Sequence, residues 1–116
     1  MTLTTTMVTF DCGDAAKLAG WWAENFEGEV QELIPGEFIA VIRPDGPRLG
    51  FQQVPDPTPG KNRVHLDFSA ADVDAEVSRL TAAGAGEVGR HSIGDNFRWV
   101  TLTDPEGNVF CVAGGQ

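Results

Sequence analysis

The feature that most constrains this chain is an internal repeat. Shifted by 58 positions and laid on itself without gaps, the sequence brings Phe10 onto Phe68 and Asp14 onto Asp72. The same shift brings Gly28-Glu29-Val30 onto Gly86-Glu87-Val88, Gly36 onto Gly94, Pro47 onto Pro105, and Val54 onto Val112. Helix caps fall on helix caps, turns on turns and apolar runs on apolar runs. A repeat of this kind means one small structural unit used twice.

Each copy reads β-α-β-β-β. Asp14 is a good N-cap for a helix over Ala15–Asn25, with Leu18, Trp21 and Trp22 at helical spacing and Gly28 as the stop. Asp72 does the same for Val73–Ala83, where Val73, Val77 and Leu80 fall at i, i+4 and i+7 and Gly84 follows. Strands are expected at Met7–Cys12 and Val64–Ser69, ahead of the helices. After the first helix come Glu29–Leu33, Glu37–Arg43 and Leu49–Val54. After the second come Glu87–His91, Phe97–Thr103 and Asn108–Ala113. Pro44-Asp45-Gly46-Pro47 and Asp104-Pro105-Glu106-Gly107 read as hairpin turns. Three prolines in Pro55-Asp56-Pro57-Thr58-Pro59-Gly60 exclude regular structure and mark the connector.

With 116 residues, 41% of them hydrophobic, the chain suits one domain with a real core rather than two independent ones. The expected layout is a single domain over 1–116, with module 1 at 1–54, a connector at 55–61 and module 2 at 62–116. The fold class is α+β: two tandem βαβββ modules forming a curved mixed sheet around a cleft. No apolar run is long enough to span a bilayer, and no basic-then-apolar leader opens the chain, so a cytoplasmic protein is expected. The net charge of −9 argues against nucleic acid and anionic membranes and is compatible with a cationic ligand or with plain solubility. Cys12 and Cys111 are expected as reduced thiols.

Strand alternation divides each first strand into two lists. Val8, Phe10 and Cys12, and likewise Leu66 and Phe68, should pack under the helices. Met7, Thr9 and Asp11, and likewise His65, Asp67 and Ser69, should face away. Polar groups set in an apolar wall are the usual build of a small-molecule site.

The segments Val64-His65-Leu66-Asp67-Phe68, Asp72-Val73-Asp74-Ala75-Glu76-Val77 with Gly84-Ala85, and Trp99 through Asp104-Pro105-Glu106-Gly107-Asn108-Val109-Phe110 resemble the vicinal oxygen chelate superfamily. That group holds glyoxalase I, bleomycin-resistance proteins and extradiol dioxygenases. The first half is a weaker match, but the resemblance covers nearly the whole chain and is nearest to small glyoxalase-like proteins. It implies a cleft formed by two modules and a homodimer. In metal-using members it implies four ligands, two on the first strands and two on the last strands of the halves. Carried through the repeat, those places are Met7, His65, Gln53 and Cys111. The set holds a thioether, one imidazole, a neutral amide and a thiol, and no carboxylate. Of the four, His65 and Gln53 are the candidate metal ligands.

The candidate residues each read two ways. His65 is a ligand or a general acid/base in the cleft, or a structural histidine held by Asp67. Trp99 stacks on a ligand or packs in the core, and Arg98, on the opposite face of the same strand, competes with it for the cleft. Cys111 is read as an inert buried thiol, since no His/Asp spacing marks a triad. His91 is read as a solvated residue at a strand end. The expected ligand-binding set is Met7, Thr9, Asp11, Gln53, His65, Asp67, Trp99 and Cys111, with His65 the candidate catalytic group. The leading expectation is metal-independent binding of a small organic molecule, in the style of bleomycin-resistance proteins, with no cofactor. The alternative is a metal-dependent lyase, isomerase or dioxygenase of the glyoxalase type. A third class is a structural or regulatory dimer.

Overall fold

The computed structural model describes residues 5–95 and 97–115. The chain forms two compact units, Met1–Thr58 and Pro59–Gln116, and their boundary lies within the proline-rich connector.

The first unit runs β1 (Met7–Cys12), α1 (Ala15–Asn25), β2 (Glu29–Ile34), β3 (Phe38–Ile42) and β4 (Arg48–Gln53). Its four strands form one mixed sheet in the order β1-β4-β3-β2, with β1 parallel to β4. The Asp14 side chain accepts from Lys17 N at 3.1 Å, which satisfies one of the orphan donors of the first helical turn. The buried face of α1 is Ala15, Leu18, Ala19, Trp22 and Ala23. It packs on Phe10, Ile39, Val41, Leu49 and Phe51, and the Phe10 ring lies 5.4 Å from that of Trp22 and 5.0 Å from that of Phe51. Each fully buried side chain of this size contributes about 1.5–3 kcal/mol by leaving water. Gly28 is dictated by packing, because a Cβ there would collide with Val41 Cγ1.

The second unit repeats the plan with β5 (Leu66–Ser69), α2 (Val73–Ala82), β6 (Gly86–Ile93), β7 (Phe97–Thr103) and β8 (Val109–Gly115), in the order β5-β8-β7-β6. Val73, Val77 and Leu80 are the buried stripe of α2, and they face Val100, Leu102, Phe110 and Val112. The Asp72 side chain accepts from Ala75 N at 3.1 Å. The turn between β7 and β8 is held by Asp104, which is buried and accepts from the backbone N–H of Glu106 and Asn108 and from Asn108 Nδ2. Asn62 pins the end of the connector to β8: its Oδ1 accepts from Val109 N at 2.7 Å, and its Nδ2 donates to the carbonyls of Val64 and Val109. Val64 and His65 therefore lie ahead of β5 rather than within it.

Two mixed four-stranded sheets, each carrying one helix, make the α+β class and the paired βαβββ modules plain. The gap-free repeat does not hold throughout. Thr9 pairs with Gly50, 41 positions on, whereas Asp67 pairs with Cys111, 44 positions on. The helix caps keep the 58-residue shift, but the last strands need 61. The β6–β7 hairpin takes up the difference. Its pair His91–Trp99 corresponds to the terminal pair Ile34–Phe38 of the first unit, and the strands then continue through Ser92–Arg98 and Ile93–Phe97. The turn glycines agree, since Gly46 at φ 79° corresponds to Gly107 at φ 90°, a left-handed conformation open to glycine. The turn matched to Asp104–Gly107 thus has Pro44, not Pro47, in the place of Pro105.

Candidate functional site

Strand alternation in the second unit sets Leu66, Phe68, Val100, Leu102, Phe110 and Val112 on the face that carries α2. The opposite face takes Asp67, Ser69, Trp99, Thr101, Cys111 and Ala113. Register then lines up rows across the sheet. Asp67, Cys111 and Thr101 form one row, and Ser69, Ala113, Trp99 and His91 the next.

The first row holds a compact donor set. One donor atom each from His65, Asp67 and Cys111 lie within 4.8 Å of one another. His65 Nε2 is 3.3 Å from Asp67 Oδ1, with the two side chains 40% and 69% exposed, so both remain open to solvent while Cys111 is buried. Thr101 Oγ1 lies 3.5 Å from Cys111 Sγ. The resemblance places His65 and Cys111 at one site and Asp67 beside His65; the β5–β8 pairing adds that Asp67 lies directly across from Cys111, 44 positions on.

The second row is aromatic. The rings of His91 and Trp99 stack at 5.1 Å and 29°, and Phe97 sits 5.9 Å from Trp99. Arg98 points the other way. Its Nη2 is 3.1 Å from Asp74 Oδ2 on α2, and Arg90 Nη1 is 2.9 Å from Asp74 Oδ1. The hydrogen bonds from Arg98 and then Arg90 hold the Asp74 carboxyl below its usual range, and Arg90 lowers Glu87 in the same way. The choice between Arg98 and Trp99 is thereby made, and Trp99 lies on the face away from the helix.

In the first unit the corresponding face carries Thr9, Asp11, Ala40, Gly50 and Gln52. Thr9 and Asp11 are exposed there and Met7 is half-buried. By register the counterpart of Cys111 is Gly50. A Cβ at Gly50 would meet Met7 Sδ at 2.6 Å and Thr9 Oγ1 at 2.9 Å, so Met7, the counterpart of His65, covers the spot where Cys111 has its side chain. Gln53 is not brought to this face. It pairs with the buried Cys12 and turns toward α1, where its Oε1 accepts from Ala15 N at 2.8 Å and its Nε2 donates to the Gly13 carbonyl. Its place as a metal ligand is therefore corrected: the amide is spent on the helix N-terminus. The residue that shares a face with Asp11 is Gln52.

Sequence reasoning passed over Gln52 and Thr101; His91, read as a solvated residue at a strand end, is exposed but lies within β6 against Trp99. Two-residue alternation from Trp99 would have found Thr101. Gln52 was hidden by the gap-free repeat, and the pairing of His91 with Trp99 by the irregular register between Glu87 and Gly89.

The glyoxalase-like domain family profile matches residues 7–113. This chain belongs to that family. Among solved structures, the glyoxalase-like fold is shared with a glyoxalase/bleomycin resistance protein/dioxygenase family enzyme from Burkholderia phytofirmans PsJN. The TM-score is 0.81 at 20% identity, covering 96% of this chain and 98% of that one. The fosfomycin resistance protein FosX from Listeria monocytogenes gives a TM-score of 0.81 at 16% identity, over 100% and 96%. TnmS3, an antibiotic binding protein from Streptomyces sp. CB03234, gives 0.73 at 21% identity, over 100% and 99%. No curated protein sequence matches significantly. Among the described residues, no helix is long and apolar enough to cross a membrane.

The superfamily resemblance implies a four-ligand divalent metal, and the donors of this glyoxalase-like chain do not fit it. In the first unit one place is a thioether and the other, Gly50, has no side chain. Hard cations want carboxylates and imidazoles, and a thioether suits little beyond soft copper.

Proposed function

We propose that this glyoxalase-like protein binds a small organic molecule without a metal, and that the ligand is a planar, cationic aromatic compound. The observation that carries the reading is the orientation of Trp99. It lies half-buried on the sheet face away from α2, stacked with His91 and one residue row from Asp67 and Cys111, while Asp74 holds Arg98 on the helix side. An indole face held at a fixed angle is a stacking surface, and cation–π attraction contributes about 0.5–2 kcal/mol. Asp67, on the same face two strands away, is an exposed carboxylate, and the net charge of −9 favours approach of a cation. FosX and TnmS3 are named for fosfomycin resistance and antibiotic binding, which supports a small-molecule role for the fold they share with this chain.

The test is a tryptophan-fluorescence titration with planar cationic dyes, proflavine first, in the presence and absence of EDTA. Saturable binding that weakens at least about tenfold in Trp99→Ala, and is indifferent to EDTA, is the expected result. Binding untouched by Trp99→Ala would remove the stacking reading. Binding abolished by EDTA and restored by a divalent ion would replace it with the metal-dependent lyase or dioxygenase reading.

A further inference from the structure

The row His65, Asp67 and Cys111 has a chemistry that ligand stacking does not use. A thiol, an imidazole and a carboxylate are the three groups of a nucleophilic cysteine site: nucleophile, proton acceptor, and the group that orients the acceptor. Here all three come from one short strand, the residue before it, and its parallel neighbour, with their donor atoms within 4.8 Å. The carboxylate and imidazole are already 3.3 Å apart. The Thr101 hydroxyl, 3.5 Å from Cys111 Sγ, donates to the sulfur once the thiol proton has left. We propose that Cys111 is a nucleophilic thiol, with His65 as its proton acceptor and Asp67 as the positioning residue for His65. It takes small α,β-unsaturated carbonyl compounds as covalent ligands, one adduct per chain.

The step balances without any co-reactant. His65 takes the Cys111 proton, and the thiolate forms a C–S bond to the β-carbon. The C=C electron pair moves toward the carbonyl as an enolate, and the imidazolium returns the proton to the α-carbon. The thiol is added across the double bond, and nothing is oxidised or reduced. An aromatic group on the compound would lie toward Trp99, whose strand neighbour Ala113 is two residues from Cys111 on the same face. This preference for an aromatic substituent rests on the stacking reading above, whereas the reactivity of the thiol does not.

The chain carries its own control. Cys12 is fully buried, and its Sγ is engaged by the Phe10 and Gln52 carbonyls at 3.7 and 3.5 Å on the α1 side. Both histidines of the chain, His65 and His91, belong to the second unit, whereas Cys12 belongs to the first.

The experiment is alkylation of the folded protein by iodoacetamide, followed by peptide mass mapping of both cysteines. Cys111 is expected to take one label at least about tenfold faster than the same cysteine in an unfolded peptide of residues 107–115, with Cys12 unlabelled. His65→Gln should bring the Cys111 rate down to that of the peptide, and added imidazole should restore part of it to His65→Ala. Asp67→Asn should slow labelling several-fold and Asp67→Glu recover it. Both side chains are exposed enough that these variants should fold, and continued protection of Cys12 reports that they do. A Cys111 rate no faster than the peptide, or one unchanged in His65→Gln, would overturn the proposal. So would stoichiometric Zn²⁺ binding that fails in both His65→Gln and Cys111→Ser, because the three donors would then be a metal site. Cinnamaldehyde and crotonaldehyde separate this from the stacking reading. Adducts at Cys111 with both, but no faster with the aromatic one, leave the thiol standing and remove the aromatic preference.

Discussion

Gln52 and Gln53 are neighbours on β4 with opposite duties. Gln52 shares a face with Asp11 and Phe38, while Gln53 reaches under α1 to receive Ala15 N–H and to donate to the Gly13 carbonyl. It therefore acts as a helix-capping group supplied from another element, on top of the local cap from Asp14. Truncating such a group costs about 0.5–2 kcal/mol. Gln53→Ala is expected to lower the unfolding free energy measured in urea by that amount while leaving the proflavine titration as in wild type. A loss of dye binding at unchanged stability would return Gln53 to the ligand face. The same distinction separates the cysteines. Both are buried, yet Cys12 is surrounded by carbonyls and Cys111 by a carboxylate–imidazole pair and a hydroxyl.

The extended β6–β7 hairpin and α2 act together as elements. Asp74, in the first turn of α2, binds Arg98 of β7 and Arg90 of β6 at once, and Arg90 also binds Glu87 at 2.7 Å. Val100 and Leu102, buried on the same side of β7 as Arg98, set which side faces the helix; the clamp closes the exposed edge of that contact, and Trp99 lies on the other side. Its pH dependence has a definite sign. The folded-state pKa of Asp74 is below the ordinary 3.8. Its contribution to stability is therefore present in full above that value, and it is lost as pH falls through the lower, folded value. An NMR titration of the Asp74 carboxyl should give a pKa below 3.8 in wild type, moving up toward it in Arg98→Ala, because the Arg98 hydrogen bond is the largest lowering influence. The groups are exposed, so the effect on global stability is small. A wild-type value at or above 3.8 would remove the clamp.

At the scale of the whole molecule, two units are joined by a proline-rich segment, and their basic residues are unevenly protected. Lys61 and Arg63 are exposed and lie outside helices and strands. Lys17 and Arg48 lie within elements, Arg43 precedes Pro44 and donates to the Phe26 carbonyl, and Arg79, Arg90 and Arg98 are in ion pairs. Native trypsin should therefore cut first after Lys61 or Arg63, giving two fragments of nearly equal size by mass spectrometry, since backbone in exposed loops is the preferred site of nicking. A first cut after Lys17, Arg48, Arg79, Arg90 or Arg98 would contradict this division. Much of this organisation was legible in the sequence. The helix caps Asp14 and Asp72, the Val73–Val77–Leu80 stripe and the polar face of the first strands are local patterns, and local periodicity follows from backbone geometry alone. The superfamily was legible too, because its turn and strand motifs are contiguous. What the sequence could not determine was register. A shift of one residue turns a strand's side chains to the other face, and register depends on hairpin length, irregular pairing and inter-strand hydrogen bonds rather than on any one segment. Tertiary structure therefore decided that Gly50, not Gln53, matches Cys111, that Trp99 rather than Arg98 leaves the helix side, and that Asp67 lies in register with the thiol 44 positions on.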